Sequence, residues 1–150
     1  MTATALAPLS LTEVREFAEA WYRKLDVHEP LENYKPLLAD DELKMVFPEV
    51  TIAGFSGYAD WYDKVINLFF DEVHTVKEVK LVTEGEDIST YEVVVKWEAS
   101  RWNAPAPQSD RIVLDAYQTW DVRRSETTGK PMIVTYTVGD LVYAEGSAKL

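Results

Sequence analysis

The stretch from Ile112 to Val122 has the sequence IVLDAYQTWDV and alternates apolar and polar side chains almost without a break. Successive side chains of a strand point to opposite faces of a sheet. One face then carries a nearly continuous apolar row: Ile112, Leu114, Ala116, Gln118, Trp120 and Val122. We expect this row to face a core. A buried amide without partners costs about 1–3 kcal/mol, so Gln118 is either a structural hydrogen-bonding group or the polar group of a ligand cavity.

The segments upstream of this strand predict helices. Ser10 and Glu13 have the spacing of a capping box, and apolar residues at helical intervals continue the first helix to about Val27. Pro30 suits the first turn of a short second helix. A strand over 43–47, a loop over 48–57 and a third helix capped by Ser56, with an apolar stripe ending at Phe69, follow.

After Glu72 the apolar period changes from helical to alternating. We expect strands over 74–83, 88–101 and 132–138 beside the Gln118 strand. Within the first of these, His74 and Val76 favour one phase, whereas Val79 and Leu81 favour the other. A β-bulge would reconcile the two phases. Helices followed by long antiparallel strands predict an α+β fold in one domain over 10–146, with a loose leader over 1–9 and a tail over 147–150.

Composition limits the function. The formal net charge is −11 and cysteine is absent, which disfavours nucleic acid and anionic membranes as partners and excludes disulfides. No apolar run approaches the roughly 18 residues of a membrane span, and the start lacks the pattern of a signal peptide. We expect a soluble, cytoplasmic protein. No spacing of metal-ligand residues or phosphate-binding loop is present, so we expect no metal and no cofactor.

The order of these segments resembles the nuclear transport factor 2-like superfamily, and within it the SnoaL-like group. The resemblance rests on an aromatic-rich first helix, the run Leu37-Leu38-Ala39-Asp40-Asp41 before a strand, the helix at Gly57, the strand beginning His74-Thr75-Val76, and the turn at 85–87. It implies three N-terminal helices packed on a strongly curved, mostly antiparallel sheet, a cone-shaped α+β barrel whose open end leads to an apolar pocket. It also implies a homodimer, for which outer sheet faces carrying Val113, Tyr117, Ile133 and Thr135 are suited.

The family's catalytic positions are only partly filled in this chain. The resemblance to ketosteroid isomerases places Phe47 where their general base stands, and Gln118 where they hold an oxyanion donor. The resemblance to scytalone dehydratase matches Asp26 and His74 to two of its catalytic residues, but Ala99 falls near the position of its second histidine. Isomerase and dehydratase chemistry are each supported by some of these residues and opposed by others.

Each candidate residue also has an ordinary structural interpretation. His74 is a proton-transfer candidate in a pocket or a surface histidine, and Asp26 is its partner or a solvated carboxylate at a helix end. His28, in a helix connection, is expected to be exposed. The aromatic residues fill the core or line a ligand cavity; the candidate ligand-binding set is Gln118, Trp21, Tyr22, Tyr62, Trp97 and Trp120.

Three functions remain open. The first is a protein that binds a small apolar molecule between helices and sheet, without a specified activity. The second is a cofactor-independent lyase or isomerase, in which Asp26 and His74 act on an oxygenated apolar substrate. The third is a non-catalytic homodimerisation module.

Overall fold

The computed structural model describes residues 7–150, and most of the expected leader lies outside them. The helices are α1 (Leu11–Asp26), a 3₁₀ helix (Leu31–Leu37) and α2 (Gly54–Leu68). The strands are β1 (Lys44–Val46), β2 (Thr51–Ala53), β3 (Phe69–Thr83), β4 (Ile88–Arg101), β5 (Asp110–Arg124) and β6 (Pro131–Tyr143). The α+β class predicted from the sequence is therefore confirmed.

Helix α1 begins with the predicted capping box. The Ser10 hydroxyl accepts a hydrogen bond from the Glu13 amide, and the Glu13 carboxylate accepts one from the Ser10 amide. This exchange satisfies two backbone donors that a helix start otherwise leaves free. The helix buries one apolar face against the sheet: Val14, Phe17, Ala18, Trp21, Tyr22 and Leu25.

The six strands form one curved, unclosed sheet in the order β2-β1-β6-β5-β4-β3. The long strands are antiparallel, but β1 pairs with β6 in parallel, so the sheet is mixed. Strand β1 precedes α2, as the predicted strand over 43–47 indicates, and β2 precedes it as well. The helices therefore do not all come before the sheet, although the family resemblance implies three N-terminal helices. The predicted loop over 48–57 contains β2, whose three residues are too few to show a pattern and form a strand by pairing with β1.

Strand β5 has the predicted phase. All six residues of the row from Ile112 to Val122 are buried, and Gln118 is 6% exposed. The next strand, β4, presents Tyr91, Val93, Val95 and Ala99 to the same core. These two strands pair along their full lengths without a register shift, which places Gln118 opposite Val93 in the middle of the sheet.

Strand β3 begins at Phe69, five residues earlier than the predicted His74, and Phe69 belongs to this strand rather than to the preceding helix. The predicted bulge is confirmed, because the pairing with β4 shifts register between Val76 and Glu78. His74 and Val76 are partly buried before it, and Val79 is buried after it. A further shift lies between Phe70 and Val73.

The outer face of the sheet is less apolar than the sequence had suggested. Tyr117 is 46% exposed, but Ile133 is fully buried. The pairing of β5 with β6 shifts register at Asp121/Val122, which brings both Ile133 and Val134 into buried positions. Ile133 therefore contributes to the core and not to the outer surface on which homodimer contacts had been expected.

Candidate functional site

A cavity of about 820 Å³ lies between α2, the segment over 47–52 and the inner faces of β3 to β6. Its sheet wall is mainly aliphatic and includes Val95, Leu114, Ala116, Val138 and Leu141. The opposite wall carries Phe47 and Trp61, whose rings stack 4.6 Å apart. Exposed charged residues of α2 and the preceding loop stand at its margin: Glu49, Asp60 and Lys64. The size and lining are typical of small-molecule sites.

The structure brings His74 and Asp26 together at this cavity. Asp26 ends α1 and accepts two hydrogen bonds from His74, one from Nδ1 to Oδ1 at 2.6 Å and one from the backbone amide to Oδ2 at 3.0 Å. A carboxylate only accepts, so the proton of the neutral imidazole sits on Nδ1. The lone pair of Nε2 is then free to accept a proton. His74 lines the cavity, whereas Asp26 stands behind it.

Two aromatic rings hold the imidazole of His74 in place. Tyr22 stacks on it with ring centroids 4.6 Å apart, and Trp97 stacks at 6.2 Å. Trp97 is the direct partner of His74 in the β3–β4 register. The His74 side chain is 9% exposed. The two stacked rings and the low exposure therefore hold the imidazole in the orientation set by its hydrogen bond to Asp26.

Gln118 is both a cavity-lining and a hydrogen-bonded residue, so its two sequence interpretations hold together. Its Oε1 accepts hydrogen bonds from the Tyr22 hydroxyl and from Trp120 Nε1, both at 2.8 Å. An indole N–H can only donate, so the atom facing Trp120 is the carbonyl oxygen. The amide N–H groups of Gln118 are therefore the donors that remain for the cavity side.

Tyr136 extends this hydrogen-bonded group. Tyr136 lines the cavity, and its hydroxyl lies 3.0 Å from that of Tyr22. The single hydroxyl proton of Tyr22 is donated to Gln118, so in the contact between the two tyrosines the Tyr136 hydroxyl is the donor and the Tyr22 oxygen accepts. Burial raises the pKa of Tyr136 to about 12 and holds the pKa of Tyr22 well above its usual value. Both phenols stay neutral at neutral pH.

The predicted ligand-binding residues divide into two groups. Gln118, Tyr62 and Trp97 line the cavity. Trp21 and Trp120 do not; both are almost completely buried and contribute to the core. Tyr22 also lies outside the lining and acts on it through Gln118 and His74. Alternation marks the strand residues Trp97, Gln118 and Trp120 as inward, but it cannot distinguish a filled region of the interior from a cavity.

The polar cavity residues that the sequence analysis does not predict include Tyr136 and Glu72. Tyr136 lies on β6 in phase with Val138, so alternation already placed it inward. The helical pattern of the sequence ends at Glu72, but Glu72 lies within β3 and lines the cavity. His28, expected to be exposed, has a side chain that is 28% exposed and bonds to Glu72.

Two further findings bear on possible functions. Within residues 7–150, no three side chains of His, Asp or Glu converge as metal ligands would. Among the helices of the same region, none has both the length and the apolar character that crossing a membrane requires.

Known proteins share this fold at low sequence identity. A nuclear transport factor 2-like superfamily protein from Salmonella enterica superposes with a TM-score of 0.68 at 17% identity, over 93% of this chain and 92% of that one. A hexachlorocyclohexane dehydrochlorinase gives 0.71 at 12% identity, over 93% and 91% of the chains. A candidate scytalone dehydratase from Novosphingobium aromaticivorans gives 0.66 at 13% identity, over 93% and 95%.

No family model and no curated protein matches the sequence. The structural matches cover nearly the whole of each chain, so they establish the fold of the whole molecule. The chain has the nuclear transport factor 2-like fold, also described as cystatin-like, as its sequence pattern had indicated. At these identities the matches show the fold alone, and the function must be argued from the site.

Proposed function

We propose that this protein is a lyase that removes a proton from carbon in an oxygenated, apolar small molecule and so forms a double bond. The observation that carries the proposal is the His74–Asp26 pair, which holds a stacked imidazole at the wall of an apolar cavity through Nδ1 and leaves Nε2 to accept a proton. A positioned imidazole of this kind is the commonest general base in enzymes and contributes about 10²–10⁴-fold to rate.

The chemistry follows from the arrangement of donors and acceptors. Nε2 of His74 accepts the proton of a C–H bond next to a carbonyl group. Asp26 stabilises the imidazolium that results, because its carboxylate already accepts the Nδ1 proton. Negative charge develops on the carbonyl oxygen, and the amide N–H groups of Gln118 are the donors placed to stabilise it. The aliphatic walls exclude water and strengthen these interactions.

The remaining side chains favour elimination over isomerisation of the ketosteroid type. Phe47, at the position where the sequence resemblance places an isomerase base, lines the cavity and stacks on Trp61. A phenyl ring accepts no proton. Ala99, near the second histidine position of the dehydratase, is fully buried and equally inert. The described cavity therefore depends on a single histidine as base. Dehydrochlorination and dehydration, for which two of the fold neighbours are named, are both eliminations, and this supports the choice.

The proposal is tested with two model ketones of one carbon skeleton. Phenylcyclohexanone in heavy water reports proton removal, because its α protons exchange for deuterium and the loss is followed by NMR. The matching β-hydroxy ketone reports the complete elimination, because the enone that forms absorbs in the ultraviolet. We expect the protein to accelerate both reactions. His74→Gln should lower both rates about 100-fold, and Asp26→Asn should lower both to a smaller extent.

Asp115→Asn is the matched control, because Asp115 carries the same charge on the outer face of β5, where it pairs with Lys77. We expect it to leave both rates unchanged. Binding of phenylcyclohexanone without exchange would favour a binding protein over an enzyme. The absence of binding would overturn the ligand cavity itself.

A further inference from the structure

Glu72 lies in the wall between the large cavity and a second, outer cleft. It lines the large cavity together with His74, and it lines the cleft together with Asp26, His28 and Arg111. The proton removal proposed for His74 gives this cavity-lining carboxylate no role. His28 lines the cleft but is not part of the cavity lining.

Both oxygens of this carboxylate are held by hydrogen bonds. Oε1 accepts from Trp97 Nε1 at 3.1 Å, and Oε2 lies 2.5 Å from Nε2 of His28. The Glu72 side chain is 9% exposed and that of His28 is 28% exposed. A proton taken up by His28 from solvent therefore has a direct hydrogen-bonded route to a carboxylate at the cavity.

The backbone is bent to make this contact. His28 and Asp71 have φ values of 51° and 50°, a conformation uncommon outside glycine. Asp71 lies in the β3 irregularity between Phe70 and Val73, and such irregularities re-aim the side chains that follow. Glu72 lies within the same irregularity, and it lines the cavity together with His74, two residues further along the strand and about 6.5 Å away at Cα. Two residues with positive φ beside the same carboxylate are typical of functional sites, where backbone strain is common.

We propose that Glu72, supplied with protons by His28, is the acid that protonates the leaving group in the elimination. The inference depends on the proposed function. As Nε2 of His74 takes the α proton, the electron pair of the C–H bond forms the new C=C bond. The bond from the β carbon to its hydroxyl oxygen breaks. The Glu72 carboxyl group gives its proton to that oxygen, and water leaves.

The cycle closes with protons only. After the step, His74 carries one additional proton and Glu72 has lost one. His28 returns a proton from solvent to Glu72 across their hydrogen bond, and His74 releases its proton to water. No oxidant, reductant or other co-reactant is needed. Trp97 is then a positioning residue, because it stacks on the base and donates to the acid.

The two ketones separate the roles of acid and base. Exchange of phenylcyclohexanone breaks no C–O bond, so it requires His74 but not Glu72. We expect Glu72→Gln to retain exchange within about threefold and to lose elimination of the β-hydroxy ketone by about 100-fold. Glutamine keeps the shape, its carbonyl oxygen still accepts from Trp97, and its amide N–H group donates to Nε2 of a neutral His28. Glu78→Gln, on the outer face of the same strand, is the matched control and should retain both reactions. His28→Gln should lower elimination alone.

The outcomes distinguish this inference from the proposed function. A protein that exchanges and eliminates equally well with and without Glu72→Gln would overturn the role of Glu72 and leave His74 as the base. Loss of exchange and elimination together in Glu72→Gln would also overturn it, because that result means a structural role. A wild-type protein that binds the ketones but catalyses neither reaction would overturn the proposed function and this inference together.

Discussion

A single amide at the centre of the sheet connects stability with recognition. Gln118 accepts from two buried donors, Tyr22 and Trp120, and shares a cavity wall with Tyr136. Buried donors that lose their acceptor cost about 1–3 kcal/mol each. The same oxygen that holds two donors in the core therefore orients the N–H groups of Gln118 at the cavity wall.

Replacing Gln118 by Leu should lower the free energy of unfolding by about 2–4 kcal/mol, because both donors lose their acceptor. Urea unfolding measures this change. Tyr22→Phe removes one of the two donors, so the double variant should be less destabilised than the sum of the two single variants. Additive effects would show that the hydrogen bond between Tyr22 and Gln118 does not contribute to stability.

The residues of the candidate pair show what a linear sequence leaves undecided. Asp26 and His74 are 48 positions apart, and their contact depends on where α1 ends and on the phase of β3. The alternation at Val76 and Val79 required a bulge, but not the second irregularity at Phe70/Val73. Glu72 was therefore absent from the predicted site, since its direction is decided by that irregularity.

At the scale of elements, the start of α1 is tied to the end of β5. Arg124 donates to both carboxylate oxygens of Glu13, at 2.8 and 2.9 Å, while Glu13 also completes the capping box. Hydrogen bonds from the Arg124 guanidinium, followed by that from the Ser10 amide, lower the pKa of Glu13 to about 2. One carboxylate thus both caps a helix and joins it to the sheet.

This ion pair should make the free energy of unfolding decrease as the pH falls below about 4.5. Because the folded-state pKa of Glu13 is below its ordinary value of 4.5, its contribution is present above pH 4.5 and is lost as the pH falls to about 2. Glu13→Gln should cost about 1 kcal/mol near neutral pH, a modest value because the side chain is 39% exposed. The cost should shrink toward pH 2.

Thermal unfolding of both proteins across this pH range measures the difference. Glu16→Gln, at an exposed position of the same helix, is the control and should show no such pH dependence. If Glu13→Gln lowers the free energy of unfolding by the same amount at every pH down to 2, the ion pair between Glu13 and Arg124 does not stabilise the folded protein.

Most elements were predictable because their patterns are long. The whole of β4 and the phase of β5 follow from alternation, and α1 follows from its capping box and apolar spacing. The hairpin of β1 and β2 was missed in part because its strands have three residues each and depend on tertiary pairing. Short elements of this kind carry too few side chains to show a period.

At the scale of the whole molecule, the cavity is a feature that the alternation of apolar and polar side chains cannot predict. Ala116 belongs to the same inward row as Trp120, yet one faces the cavity and the other fills the core. The size of the side chain is part of the reason, since a small residue leaves space beneath the helices. A sequence pattern gives the direction of a side chain and not the volume in front of it.

Ala116→Phe should fill part of this space without unfolding the protein. The new ring enters an existing cavity of about 820 Å³, so the free energy of unfolding should change by less than about 1 kcal/mol. Calorimetric binding of phenylcyclohexanone should weaken by about tenfold or more, which is about 1.4 kcal/mol. Thr119→Phe, on the exposed face of the same strand, should leave binding unchanged. Unchanged binding in Ala116→Phe would place the ligand elsewhere.

Within residues 7–150, β3 pairs with β4 alone, so its other side is a sheet edge that carries exposed Phe70, Val73 and Val82. Side chains of α1 bond to the backbone of this edge at His74 and Val76. If such an edge strand is regular, neighbouring molecules can pair their own strands with it and aggregate. The three places where β3 loses register break this edge into short pieces. We expect the distortion that turns acidic and basic side chains inward also to oppose this aggregation, so a variant with a regular β3 should aggregate more readily.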